Sequence, residues 1–391
     1  MEPRHDWSRD EIAALFARPL LDLVFEAHTI HRRFHPARGV QLATLLSVKT
    51  GGCPEDCAYC PQSARYETGV AREELLPLDR VVAAAREAKA GGSTRFCMGG
   101  AYRDVPEGAP FQRVLAMVRA VRELGMEACL TMGMLTAEQA RALADAGLSA
   151  YNHNLDTSER AYGSIITTRT YQDRLTTLRH VQEAGIAVCC GGIVGMGEST
   201  GDRIDLIHTL ACLDPHPESV PLNLLVRVPG TPLGGAAGTG GGQAPPLKTH
   251  LTGREAHGTD RTGAGRSPAL HTDVTGGEAH GTDRTGGGRS PAVRAGTTAL
   301  PATVDPLDLV RMVAVTRVAI PAARIRLSAG RRDLGESDHA LCFLAGANSI
   351  FAGDRLLTTP NVDHDHDAAL LARLGLEPMT DGHARDLSIP S

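Results

Sequence analysis

Eight short apolar segments recur along this chain, each followed by a helix-like stretch, and this alternation constrains the fold more than any other feature. They run over 42–50, 94–99, 127–133, 150–156, 187–194, 220–226, 324–329 and 348–353. Their apolar character on both faces is that of parallel strands covered on both sides. Between them, stretches such as 78–90 and 136–146 carry helical periodicity and meet a glycine just past their end. Eight repeats of strand then helix predict an α/β fold, a closed (β/α)8 TIM barrel. Active sites in that architecture gather at the C-terminal ends of the strands.

Residues 234–303 interrupt the alternation after the sixth strand. Glycine, threonine and arginine dominate there, and two copies of one motif, 252–269 and 275–292, match at sixteen of eighteen positions. Polar repeats without apolar positions to stack cannot build a solenoid, so the segment is predicted to be a long disordered insertion. Each doubling of loop length costs only about 0.6 kcal/mol, so the barrel is expected to tolerate it. Helix is expected to resume at Asp305-Pro306, a cap and first-turn pair. The organisation read from the sequence is an N-terminal helical extension (1–40), a first part of the barrel (41–233), the insertion (234–303), the remainder of the barrel (304–375) and a C-terminal tail (376–391).

A hydrophobic fraction of 42% supports a sizeable core, and a formal charge of -5 leaves no basic stripe for nucleic acid or an anionic membrane. No apolar signal core opens the chain and no run of about eighteen apolar residues follows. A cytoplasmic protein acting on a small molecule is expected. Nine cysteines in that compartment should stay reduced, serving as metal ligands or buried thiols.

Three of them, Cys53, Cys57 and Cys60, fall within eight residues directly after the first strand, behind Gly51 and Gly52, which permit a sharp turn. Structural zinc takes four protein ligands, whereas an iron-sulfur cubane held by three thiolates keeps one iron open to a small molecule. A zinc knuckle with its fourth ligand elsewhere is the bland alternative. CxxxCxxC with Tyr59 before the last cysteine resembles the radical S-adenosylmethionine superfamily. That resemblance implies a 4Fe-4S cluster whose open iron chelates the methionine portion of S-adenosyl-L-methionine.

Cys97, Cys129 and Cys189 lie one on each of the second, third and fifth predicted strands. A lone buried cysteine is usually a small hydrophobe, but three on barrel strands point to a metal site. If Cys189 faces inward, Cys190 must face the helices, and Ala187 and Gly191 share the inner face. Cys190, Cys212 and Cys342 are read as structural. Asn152, Asn154 and Asp156 alternate on the fourth strand and should face the interior, either as a hydrogen-bonded network or as ligand contacts. Gly99 and Gly100 leave backbone open to a ligand. The segment 192–198 lacks the G-x-G-x-x-G spacing of a dinucleotide fold. The run 363–367, Asp-His-Asp-His-Asp, is read as an exposed charged turn.

The segments 93–99, 151–158, 165–171, 191–198, 220–223, 326–331 and 357–361 resemble the biotin synthase family, and nearly everything outside the insertion is covered. The resemblance implies a homodimeric barrel with two clusters, a 4Fe-4S and a deeper 2Fe-2S, the latter held by Cys97, Cys129, Cys189 and Arg326. Physics alone would pair Arg326 with a carboxylate. By the same resemblance, Asn154 and Asp156 lie between the S-adenosyl-L-methionine ribose and the substrate. Asn223 addresses the ureido ring of dethiobiotin, Tyr59 and Gly99 contact the cofactor, and Ile193 and Val194 line its adenine. Lys49 either reaches the substrate carboxylate or is solvated. The implied reaction is radical insertion of sulfur into dethiobiotin, with the 2Fe-2S cluster as sulfur donor and electrons from a flavodoxin or ferredoxin. Another radical enzyme of the superfamily and a non-catalytic iron-sulfur carrier are the alternatives.

Overall fold

Parallel strands close on themselves in the computed structural model, which describes residues 3–235 and 304–380. The barrel strands are β1 (Gly39–Lys49), β2 (Arg95–Gly100), β3 (Glu127–Thr131), β4 (Ala150–Asn152), β5 (Ala187–Cys189), β6 (Gly192–Val194), β7 (Ser219–Leu224), β8 (Arg324–Leu327) and β9 (Ser349–Phe351). Each pairs in parallel with its neighbour, and β1 pairing with β9 closes the circle. The expected eight-stranded barrel is therefore present, with one difference. The single strand predicted over 187–194 is two short strands, β5 and β6, both paired to β7. Pro221 in β7 has no N–H to donate, and a side chain at Gly191 would meet the Pro221 carbonyl at 1.9 Å, so the ladder lapses there.

Helices cover the outside. α1 (Arg9–Ala17) and α2 (Leu20–Phe34) precede the barrel, and α3 (Leu78–Ala90), α4 (Ala109–Glu123), α5 (Ala137–Asp145), α6 (Glu159–Ile165), α7 (Tyr171–Glu183), α8 (Thr200–Ala211), α9 (Pro306–Ala319), α10 (Glu336–Leu344) and α11 (His364–Leu374) follow its strands. Their starts are written in the sequence: Thr136, Thr170 and Ser199 each close a capping box, and Asp305 accepts from Leu307 N at 2.9 Å, as the Asp-Pro pair predicts. The acidic run 363–367 is exposed over its first four residues, as expected, but it opens a helix instead of a turn. Asp363 caps α11, and Asp367 is buried in an ion pair with Arg331.

Two apolar layers result. A large outer core fills the space between strands and helices, and a small inner one holds Ala43, Cys97, Cys129, Ala150, Phe351 and Leu356, with Ala187 and Ala329 against it. An interior lined by alanine and cysteine instead of valine and leucine leaves room inside the barrel. A two-stranded hairpin, β10 (Arg355–Leu356) and β11 (Thr359–Pro360), follows β9, and β12 (Glu377–Pro378) adds to β1. The predicted insertion, apart from its first two residues, and the tail beyond 380 lie outside the described residues. Among the described residues no helix is long and apolar enough to cross a membrane.

Candidate active site

β1 delivers the chain into the cysteine loop, and Gly51 and Gly52, both at φ 67°, turn it. A side chain at Gly51 would strike the Ala71 carbonyl at 2.6 Å, so the turn needs glycine there. The loop is stapled to itself by Cys53 N to Gln62 O, Ala64 N to Cys53 O and Cys60 N to Cys57 O, at 2.9, 2.7 and 2.9 Å. It is also pinned from outside. The Asp56 carboxylate accepts from Thr167 N at 2.9 Å and Thr168 N at 3.2 Å, as well as from both threonine hydroxyls. Buried Glu55 pairs with Arg103 at 3.2 Å and Arg169 at 3.9 Å, and Arg169 donates to Cys57 Sγ at 3.8 Å. Lys49 is not solvated: its Nζ donates to the Gly51 and Ala101 carbonyls at 2.8 and 2.9 Å, tying the loop to the end of β2.

A cavity of about 320 Å³ opens at the C-terminal ends of the strands. It is lined by Cys53, Cys57, Tyr59 and Cys60 from the loop, Cys97, Gly99 and Cys129 from β2 and β3, and Asn152, Asn154 and Asp156 from β4 and the turn after it. Ile193, Asn223 and Arg326 line it as well. Thus Cys97 and Cys129 share one space with the three loop cysteines, far away in sequence, while Cys189 lies outside its lining. β4 ends at Asn152, short of the segment predicted, and Asp156 beyond it adopts φ 67°, yet all three polar residues face the cavity. They form a network as well: Asn152 donates to Asn154 Oδ1 at 3.1 Å, Gly191 N donates to the same oxygen at 3.1 Å, and Asp156 Oδ2 accepts from Tyr59 at 2.8 Å and Arg174 at 2.5 Å. Asn223 joins strands, donating to Gly192 O at 3.1 Å and accepting from Ala329 N at 3.0 Å, which leaves one of its amide hydrogens unspent. Val194 alternates away from Ile193 into the outer core and does not line the cavity.

Cys97 and Cys129 are paired directly across β2 and β3, and Cys189 is placed beside Asn152 on the next pair, its Sγ accepting from Asn152 Nδ2 at 3.2 Å. Cys190 falls in the outer core, as strand alternation requires. The two thiol groups differ in electrostatics. Burial pushes Cys53 up, Cys57 to about 11 and Cys60 to about 12. In the inner group the hydrogen bonds with Cys129 lower Cys97 and Cys189, with help from the charge of Arg326, while raising Cys129. Buried thiols of this kind become thiolates when a metal shares their charge. Among the described residues no three His, Cys, Asp or Glu groups converge as a single ion would need. A cluster, in which different irons take different thiolates, does not need such convergence. The donor chemistry fits iron and sulfur.

Several functional-site residues escape sequence reasoning. Glu55, Asp56, Thr167, Thr168, Arg169 and Arg174 meet only through folding, although all sit in or beside the segments that carry the resemblance. The hairpin β10–β11 does as well: Leu356 to Thr359 line the cavity, and a side chain at Gly99 would meet Leu357 Cδ2 at 2.6 Å.

Residues 47–210 match the family model of the Radical SAM superfamily, and residues 291–377 match the Biotin and Thiamin Synthesis associated domain. A biotin synthase of Sorangium cellulosum (strain So ce56) is 51% identical, covering 98% of this chain and 91% of its own. That of Methylococcus capsulatus (strain ATCC 33009 / NCIMB 11132 / Bath) is 52% identical over 95% of this chain and 94% of its own. The solved structure of a methylornithine synthase shares the fold, with a TM-score of 0.66 at 16% identity over 95% of this chain and 94% of its own. Barrel and thiol loop together thus define a radical S-adenosylmethionine enzyme, a class that works with an iron-sulfur cluster and S-adenosyl-L-methionine. Within it, the chain belongs to the biotin synthase family of sulfur-inserting enzymes.

Proposed function

We propose that this chain converts dethiobiotin to biotin in the cavity at the C-terminal ends of its strands. The observation that carries this reading is that one cavity is lined both by Cys53, Cys57 and Cys60 and by Cys97, Cys129 and Arg326. Cys53, Cys57 and Cys60 would hold a 4Fe-4S cluster, and Cys97, Cys129, Cys189 and Arg326 a 2Fe-2S cluster. When bound, the first, with S-adenosyl-L-methionine, supplies the radical chemistry that inert carbon-hydrogen bonds demand, and the second supplies sulfur.

The protein's own part is to bind, orient and keep water out. Tyr59, Gly99, Asn154, Asp156 and Ile193 are read as contacts of S-adenosyl-L-methionine. Asn154 and Asp156 also reach toward the substrate. Asn223 offers its spare N–H to the planar ureido carbonyl. Leu45, Phe351, Leu356 and Leu357 form an apolar wall that suits a hydrocarbon chain and excludes water. Placing substrate between two cysteine groups in one cavity supplies the proximity that a two-site insertion needs.

An electron donor such as a flavodoxin or ferredoxin, a homodimer and a cytoplasmic setting complete the reading. So does the division into extension, interrupted barrel, insertion and tail. Anaerobic protein incubated with S-adenosyl-L-methionine, a reductant and dethiobiotin should yield 5′-deoxyadenosine and biotin. 5′-Deoxyadenosine without biotin would point to another substrate, and a single iron centre unaffected by Cys97→Ala would remove the second cluster.

A further inference from the structure

Arg326 is anchored by neutral groups although two carboxylates stand close by. Its Nε donates to Ser349 Oγ at 2.9 Å and its Nη2 to Gln41 Oε1 at 3.0 Å, and Ser349 Oγ donates to the same Gln41 oxygen at 3.2 Å. Strand register lays the three side by side: Ser349 on β9 is opposite Gln41 on β1 and opposite Arg326 on β8. All three are buried. The Gln41 amide is itself oriented, because its Nε2 donates to Glu127 at 3.0 Å, which turns Oε1 toward Arg326. Glu127 and Glu218 are meanwhile engaged by Arg95 and Arg324. One edge of the Arg326 guanidinium is therefore fixed, and the Phe351 ring lies 4.9 Å from it. The remaining nitrogen, Nη1, makes no hydrogen bond among the described residues, and Arg326 lines the cavity with Cys97 and Cys129.

We propose that Gln41 is a positioning residue that aims Nη1 of Arg326 into the layer of Cys97, Cys129 and Cys189, with Glu127 setting the amide's orientation and Ser349 sharing the hold. The inference rests on the proposed reading of those four residues as a cluster site. A planar fork tied at two nitrogens has no rotation left, so its third nitrogen points where the barrel floor directs it. Groups that orient a metal ligand from behind typically govern affinity by about 10- to 100-fold.

The test uses anaerobically purified full-length protein with iron and sulfide quantified, the Mössbauer spectrum of the two-iron centre recorded, and its loss to a chelator timed. Gln41→Met removes both donor and acceptor and should alter the spectrum and speed loss of that centre by about 10-fold or more, leaving the four-iron content unchanged. Gln41→His keeps a lone pair for Arg326 and an N–H for Glu127 and should retain most of the native spectrum. A wild-type spectrum and retention in Gln41→Met would overturn the inference, as would equal damage in both variants, which marks mere packing. Should Gln41→Met fail to fold, Ser349→Ala decides the question: a perturbed two-iron spectrum supports the inference and an unchanged one overturns it. Wild-type protein lacking any two-iron centre would overturn the proposed cluster site itself.

Discussion

Asp156 holds the left-handed backbone conformation that asparagine, aspartate and glycine tolerate best, and its carboxylate joins Tyr59 of the cysteine loop to buried Arg174 of α7. Asp156→Asn keeps the shape and an acceptor for Tyr59 but leaves the Arg174 charge unpaired. Breaking a buried pair from one side costs about 3 kcal/mol or more, and urea unfolding of the cluster-free chain should register it. The same variant should weaken S-adenosyl-L-methionine binding, measured by equilibrium dialysis of the loaded protein. Arg326 teaches a related lesson. Charge alone assigns it a carboxylate partner, but Arg95 and Arg324 occupy both carboxylates, and Arg326 is left with Ser349 and Gln41.

At the scale of elements, the cysteine loop is positioned by a segment more than a hundred residues away. Thr168→Val removes hydroxyl bonds to Glu55 and Asp56, leaving buried acceptors short of partners at a cost of about 1 to 3 kcal/mol. Faster amide hydrogen exchange over 53–64 and lower iron content after anaerobic gel filtration are the expected outcomes. The hairpin β10–β11 depends equally on a distant residue, since Gly99 makes the space that Leu357 fills. Gly99→Ala should displace the hairpin tip, raising KM for dethiobiotin while the melting temperature stays near wild type. The loop's turn and the helix caps were legible in the sequence, because glycine and capping side chains act within a few residues. The hairpin's role was not, because nothing local in Leu357 distinguishes a cavity wall from a surface turn.

For the molecule as a whole, the barrel floor is a buried network in which Arg95 bonds Glu127 at 2.7 Å and both oxygens of Glu218 at 3.0 Å. Burial alone would raise Glu218, but Arg95 and Arg324 outweigh it and hold the carboxyl at about 2, below its ordinary 4.5. A depressed carboxyl contributes stability above its unfolded value and loses it as pH falls through the folded one. The contribution should be full above pH 4.5 and gone near pH 2, worth on the order of 2 to 3 kcal/mol. Denaturant titrations across that window check it, and Glu218→Gln should flatten the dependence. Replacing 236–303 by a short linker should stabilise the fold by no more than about 2 kcal/mol, read as a small rise in melting temperature.

Periodicity and spacing determined the barrel, the caps and the cysteine loop, because each is a pattern of neighbours that physics reads over a few residues. The inward set of Cys97, Cys129, Asn154 and Asp156 was legible too, since strand alternation fixes which side chains share a face. Only the closed tertiary structure decided that Cys97 and Cys129 share a cavity with the loop cysteines, that Pro221 and Gly191 split the fifth strand, and that Glu55, Asp56, Arg174 and Gln41 support the site. Those relations join residues about a hundred or more positions apart, or depend on which strand lies beside which, and a sequence carries no local mark of either.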